Sequence, residues 1–331
     1  MSENILKVIR TQCTDPYVNL AAEEHLTMNA KEGEMILFLW QNAHTVVIGK
    51  NQNPWRECDV ESIKRDGVFL ARRMSGGGAV YHDMGNLNFT FAARDGLYDV
   101  SRQTDVILNA CRLLGIAAEK NGRNDLTVDG RKFSGHAYYS SKGCNYHHGT
   151  IMLDVDPDAL SGYLRVSDEK LKSKGVSSVR SRVTNLRDHI EGSLAHADTA
   201  ALVDAMADAM IKAAEEEYGC KAKTAGLPQI PQKLLNKYAS EEWRLGTRIA
   251  FEKEIVRRFS WGEVAVQLAM KGEYISDCRI YSDSLEVEMF SGLEEMLRGA
   301  KFDASAIKGI EPGAGMPEAA SEILELIADS I

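Results

Sequence analysis

The residues best suited to chemistry lie in one short segment, Arg73-Met74-Ser75-Gly76-Gly77-Gly78-Ala79-Val80-Tyr81-His82-Asp83. Three successive glycines between two strand-like runs cost backbone entropy, so something must require them. A tight loop is one reason. The other is close approach of backbone amides to a ligand, commonly an anion. Glycines alone do not separate the two. Arg73 and Ser75 add hydrogen-bond donors, and arginine pairs bidentately with carboxylate or phosphate, which favours an anion site. The segment is neither a Walker A loop nor a dinucleotide fingerprint, since it lacks Gly-Lys-Ser/Thr and the G-x-G-x-x-G spacing at a helix start.

Three further clusters follow. Asn121-Gly122-Arg123-Asn124-Asp125 precedes Gly130-Arg131-Lys132-Phe133-Ser134-Gly135, where Lys132 opens a strand just after a turn. Taken alone, Lys132 reads as a solvated lysine beside a turn. His147-His148 enters another strand, where adjacent residues face opposite ways, so the pair is not a chelate by itself. Lys172–Gly175 and Ser177–Val183 form a basic stretch. Cys13, Cys58, Cys111, Cys144, Cys220 and Cys278 show no Cys-x-x-Cys spacing, which argues against zinc and for reduced thiols in a cytosolic protein. A net charge of −9 offers no broad basic surface for nucleic acid. Met1–Arg10 is unlike a secretory leader, and the longest apolar run, Met35–Trp40, is too short to span a bilayer. A cytoplasmic protein without nucleic-acid or membrane partners is expected.

These residues need a frame to hold them. Ile5–Ile9 reads as a strand, and Asp15-Pro16 caps a helix that Gly33 ends. Met35–Trp40 and Thr45–Gly49 have strand length and are expected to pair. Val68–Arg72, Ala79–His82 and Leu87–Ala92 read as three more strands. In the last, Leu87, Phe89 and Phe91 alternate with Asn88 and Thr90, the pattern of one buried face. Thr104–Leu114 is helical. Asp125–Val128 and Lys132–Tyr139 are strands joined by Asp129-Gly130, a strong hairpin signal, and Gly149–Val155 is another strand. Cys144 reads as a loop residue. A helix from Asp198 to Tyr218 closes this part, then a proline-marked connector, Leu227–Pro231, leads to Trp243–Thr247. Beyond it, strands at Phe251–Ser260, Gly262–Met270 and Tyr274–Tyr281 and helices at Leu293–Gly299 and Glu318–Ile327 suggest a small separate unit. Strands in meander order with grouped helices predict an α+β fold with a mixed, largely antiparallel sheet. The expected division is residues 1–246 and 247–331.

Taken in order, the clusters resemble the lipoate–protein ligase A family. The matching stretches are Asn19-Leu20-Ala21 with Glu23-Glu24, Arg73–Asp83 with Gly85-Asn86, Gly122–Asp125, and Lys132–Gly135. They continue through His148–Thr150, Lys174–Val176 and Ser178–Asn185 to Trp243, Gly246, Phe259–Gly262 and Asp283–Leu285. The resemblance implies a biotin/lipoate-ligase catalytic domain, related to class II aminoacyl-tRNA synthetase cores, with a small α+β C-terminal accessory domain. It also implies two half-reactions. Lipoate and MgATP give lipoyl-AMP, and the acyl group then passes to a lysine of a lipoyl-domain acceptor, the H protein or a dehydrogenase E2 subunit.

Under that resemblance Lys132 is the catalytic residue, bridging the acid and the α-phosphate. The adenylate set is Arg73, Gly78, Ala79, Val80, Tyr81, Asn124, Asp125, Lys132, Ala137, Lys174 and Arg180. The acyl set is Arg73, Ser75, Gly76, Gly77, His82, Lys132, Gly135 and His148, with Asp125 assigned to Mg²⁺. ATP and Mg²⁺ act as co-substrate and ion, no tightly bound prosthetic group is expected, and the chain is expected to be a monomer. The alternatives are an ATP-independent octanoyl or lipoyl transferase working through a cysteine thioester, a biotin ligase, and a non-catalytic acyl-binding protein. Asn124-Asp125 stand where such transferases place their cysteine, and Cys144 is the remaining thiol to consider. His136 and Trp243–Gly246 depart from the family's usual wording.

Overall fold

A computed structural model describes residues 4–122, 124–165, 182–313 and 316–331. Arg123, Lys174 and Arg180, named above, lie outside the described residues. The strands are β1 (Ile5–Arg10), β2 (Glu34–Trp40), β3 (Thr45–Ile48), β4 (Phe69–Arg72), β5 (Val80–His82), β6 (Asn86–Arg94) and β7 (Glu119–Asn121). They continue as β8 (Asp125–Val128), β9 (Arg131–Ser141), β10 (Cys144–Met152), β11 (Ala222–Ala225), β12 (Lys253–Phe259), β13 (Gly262–Lys271) and β14 (Tyr274–Ser282). The chain divides into two compact units: Met1–Val47, Trp55–Arg72 and Val80–Arg244 make the first, and Ile48–Pro54, Arg73–Ala79 and Leu245–Ile331 the second.

The first unit is built on an eight-stranded sheet of order β11-β1-β2-β6-β10-β9-β8-β7. β1 pairs parallel with β2 and β11, and the pairs from β2 to β7 are antiparallel. The helix Pro16–Met28 makes the crossover between β1 and β2, its first turn capped by the Asp15 carboxylate on the amides of Tyr17 and Val18. With β1 on one edge of β2 and β6 on the other, no edge remains for β3. The expected pairing of Met35–Trp40 with Thr45–Gly49 therefore does not form, and β3 instead lies between β4 and β5 in a small separate sheet.

One face of the large sheet is apolar. Leu37, Leu39, Phe89, Phe91 and Phe133 pack there against the helices Val100–Leu113 and Thr199–Tyr218. Leu202, Val203, Met206 and Met210 are fully buried on the second of these, and such a side chain contributes about 1.5–3 kcal/mol on burial. The other face carries Trp40, Asn88, Thr90 and His148, and the helix Pro16–Met28 lies over part of it. β6 is thus buried on both faces, with Asn88 and Thr90 each only 1% exposed. The alternation of β6 predicts one wet face, because it separates apolar from polar residues and does not show that the polar side is covered too.

Two other differences concern boundaries. β10 begins at Cys144, five residues before the expected start, so Cys144 is a buried strand residue and not part of a loop. The short β11 joins the sheet beside β1, which no periodicity announces.

In the second unit, β12, β13 and β14 form an antiparallel sheet whose apolar side packs on the helices Met289–Leu297, Ala304–Lys308 and Glu318–Ala328. Val264, Val266, Leu268, Phe290, Leu293 and Ile323 are its centre. The glycine turn Arg73–Ala79 clusters with this unit, although the sequence reading places it within residues 1–246.

Candidate active site

Lys132 owes its position to a hairpin and a bulge. Asp129 and Gly130 both adopt positive φ, 50° and 71°, the twist that a two-residue hairpin needs. In the β8–β9 ladder Asp125 pairs with Gly135, Leu126 with Ser134, and then Thr127 with Lys132. Phe133 is the extra residue, and it goes into the apolar core. In an uninterrupted strand Lys132 and Gly135, three apart, would face opposite ways. The bulge returns Lys132 to the face of Asp125, Thr127 and Gly135.

On that face the Lys132 ammonium sits 2.6 Å from Asp125 Oδ1, and Arg182 Nη2 lies 2.5 Å from Asp125 Oδ2. Desolvation pushes the Asp125 carboxyl up, but Lys132 and Arg182 more than offset it and hold it below the usual carboxylate range. A Cβ added at Gly135 would stand 2.6 Å from Lys132 Nζ, so glycine makes the room that the ammonium occupies. Behind Lys132, its carbonyl accepts from the Thr184 amide at 2.9 Å, which brings Arg182 alongside. Asn124 is tied to β9: its side chain donates to the His136 carbonyl at 3.1 Å and its own carbonyl accepts the His136 amide at 2.8 Å.

Ala137 and His148 face each other across β9 and β10. His148 Nδ1 donates to Glu23 Oε1 at 2.7 Å, and Thr90 Oγ1 donates to the same oxygen at 2.6 Å. A carboxylate only accepts, so this contact fixes a proton on Nδ1. Trp40 Nε1 donates to Thr90 Oγ1 at 3.1 Å and extends the network. On β5, Val80 is half-buried, Tyr81 hydroxyl meets His44 Nδ1 at 2.8 Å, and His82 Nδ1 meets Asn42 Nδ2 at 3.1 Å. The His82 ring lies 6.3 Å from that of Trp40.

The opposite face of the sheet holds His136 and His147. The rings of His147 and His136 lie 4.6 Å apart, tilted by 57°, in the apolar core, with His147 Nδ1 on Gln103 and His136 Nε2 on Ser134, each at 3.1 Å. Burial first, then the charge of Lys132, lowers His136 to about 3, and burial likewise holds His147 well below its ordinary value. Both rings are neutral packing groups at physiological pH. The departure at His136 therefore alters the back of the sheet, away from the Lys132 face.

In the second unit the glycine turn is internally braced. Arg73 Nη2 donates to the carbonyls of Gly76 at 2.6 Å and Gly78 at 2.8 Å, and its Nε donates to Ser75 Oγ at 3.1 Å. Gly77 has φ +87°, and its amide donates to the Ser284 carbonyl at 2.8 Å. A Cβ at Gly76 would fall 2.2 Å from that carbonyl, so the close approach requires glycine there. The turn is at once a tight loop and a packing surface, and Ala79 leads out of it into β5.

Lys132, Asp125, Asn124, Gly135, Ala137 and His148 thus share one sheet region in the first unit. Sequence reading missed Arg182 as the second cation on Asp125. It matched Glu23 by resemblance without a role, and it read Asn88 and Thr90 only as a strand pattern.

Comparison with known proteins decides the family. Residues 15–211 match the lipoyl protein ligase A/B catalytic domain, and residues 248–311 match the bacterial lipoate protein ligase C-terminus. The chain belongs to the lipoate–protein ligase A family. It is 39% identical, over 96% of each chain, to the lipoate-protein ligase A of Psychrobacter cryohalolentis. Among solved structures it resembles P. falciparum LipL1 in complex with lipoate, at 27% identity and TM-score 0.81 over 98% of this chain and 99% of that one. It also resembles a lipoate-protein ligase A bound with ATP, at 26% identity and TM-score 0.61 over 74% of this chain and 99% of that one. These structures share the mixed α+β fold described above. The thiol route finds no support at Cys144, which is 3% exposed and accepts a hydrogen bond from Arg94 at 2.8 Å.

Proposed function

We infer that this protein is an ATP-dependent lipoate–protein ligase, which converts lipoate to lipoyl-AMP and transfers the lipoyl group to a lysine of a lipoyl-domain protein. The observation that carries the reading is Lys132, held on the polar face by the bulge at Phe133 and by Asp125, within a chain of this family. Joining a carboxylate to an α-phosphate brings two anions together. An oriented ammonium in a partly desolvated position offsets that repulsion more strongly than one in water. Lys132 is assigned to bridge the lipoate carboxylate and the α-phosphate.

Arg73, Gly78, Ala79, Val80 and Tyr81 are assigned to the phosphates, and Asn124, Ala137, Lys174 and Arg180 to the adenylate. Ser75, Gly76, Gly77, Gly135, His82 and His148 are assigned to the acid. A phosphate at the turn would exchange for the carbonyl contacts that Arg73 now makes. Both oxygens of Asp125 already face cations, so Asp125 as it stands does not fit a Mg²⁺ ligand. Among the described residues no group of three His, Cys, Asp or Glu side chains suits a metal either. Mg²⁺ is therefore assigned to the phosphates of ATP. Residues 1–246 would carry both half-reactions, with 247–331 as the accessory domain.

The acceptor is an H protein or an E2 lipoyl domain, and the protein works as a cytoplasmic monomer. Among the described residues no helix is long and apolar enough to cross a membrane. Lipoate-dependent exchange of pyrophosphate into ATP tests the reading. Lys132→Ala is expected to lower it by at least a hundredfold, and a loss of only a few-fold would remove Lys132 from the centre of the reaction.

A further inference from the structure

Asn88 is polar, 1% exposed, and central in the sheet, yet its Nδ2 has no hydrogen-bond partner among the described residues. Its Oδ1 is used, accepting from Asn86 Nδ2 at 2.9 Å. A buried amide donor left unmatched is costly, and natural sheets rarely keep one without a reason.

The register shows what lies beside it. Asn88 pairs with Trp40 on β2 and with Thr150 on β10. On the next strand, the Gly135 amide reaches Thr150 Oγ1 at 3.4 Å, and Lys132 Nζ lies over Gly135. The row Gly135–Thr150–Asn88–Trp40 therefore crosses the sheet on one face, starting at the ammonium. The adjoining row of Thr90 and His148 is occupied by Glu23 from the covering helix, so a ligand held by Lys132 is directed along the Asn88 row. Two interstrand steps of about 4.8 Å separate Gly135 from Asn88, roughly 10 Å in all. An extended eight-carbon acid with its carboxylate on Lys132 covers that distance with its far end.

We propose that Asn88 is a specificity-determining residue that reads the distal dithiolane ring of lipoate, its Nδ2–H donating to a ring sulfur. The proposal rests on the assignment of lipoate to Lys132. Octanoate has the same carbon count but ends in a methyl group and leaves the donor unmatched. Sulfur is a weak acceptor, so discrimination of roughly tenfold in kcat/KM is expected, well below that of a site built around a hydroxyl.

The test compares acid-dependent pyrophosphate exchange with lipoate and octanoate in wild type, Asn88→Val and Asn88→Thr. Valine and threonine have nearly the same shape, but only threonine keeps a donor. Wild type is expected to prefer lipoate about tenfold. Asn88→Val should bring the ratio to near unity, and Asn88→Thr should retain most of the preference. A purely structural role would lower both acids equally and leave the ratio alone, which would overturn the proposal. Equal use of the two acids by wild type would overturn it without any variant. Absence of acid-dependent exchange in wild type would instead refute the ligase reading on which the proposal rests.

Discussion

Gly135→Ala tests whether the position of the Lys132 ammonium, and not merely its charge, drives adenylation. The new Cβ would stand 2.6 Å from Nζ and 2.9 Å from Cε, against an ordinary contact of 3.4 Å or more. The difference, 3.4 − 2.6 = 0.8 Å, is the least distance the ammonium must move. The obstacle meets the end of a flexible side chain, so the strand itself need not shift. A misplacement of about 1 Å in a reacting group lowers a rate by up to about a hundredfold, equivalent to about 2.7 kcal/mol of barrier. The same substitution should leave stability unchanged or raise it by about 0.4–1 kcal/mol, because alanine restricts the unfolded chain. Two measurements separate the effects: lipoate-dependent pyrophosphate exchange and the urea unfolding midpoint. A ten- to hundredfold loss of exchange at unchanged midpoint is expected. Exchange within threefold of wild type would refute the positional argument, and a large fall in the midpoint would show that Gly135 serves packing instead.

Two further predictions concern the core and the thiol. His136 and His147 are buried neutral, with folded values below the ordinary 6.5, so the unfolded chain binds more protons than the folded one as pH falls. Their contribution is fully present above pH 6.5 and is lost progressively below it, for His136 down to about 3. For His136 the loss at pH 5 is about 2 kcal/mol, from 1.5 units at about 1.36 kcal/mol each, and His147 adds to it in the same direction. Urea midpoints at pH 7.5 and 5 should show the drop, and His136→Asn should make it smaller; a midpoint that does not fall would contradict the burial argument. Cys144→Ser should keep ATP-dependent transfer within a few-fold of wild type, whereas a thioester mechanism requires its abolition.

How far the site was legible depended on whether a signal was local. Asp129-Gly130 announced the hairpin because both residues accept positive φ, and that placed Lys132 at a strand start. Nothing in Arg131–Gly135 shows which face Lys132 takes. That is set by the bulge at Phe133, which depends on pairing with β8 and on the apolar core behind it. Glu23 and Asn88 escaped for a related reason. A carboxylate on a helix or an amide in an alternating strand reads as the solvent side, and only the packing of that helix over the sheet turns both into an interior. Pairing of β2 with β3 was expected from proximity in sequence, but the crossover helix hands both edges of β2 to other strands. The glycine turn was visible as a conformational need. Its contact with Ser284 was not, because the partner is more than two hundred residues away.

The central claim is ATP-dependent lipoyl transfer through an adenylate held at Lys132. It is tested most directly by incubating the protein with MgATP, lipoate and a lipoyl-domain acceptor and weighing the acceptor. The acceptor should gain one lipoyl group, only when ATP is present, and should gain none with Lys132→Ala. Lipoyl or octanoyl transfer from an acylated carrier without ATP would contradict the account.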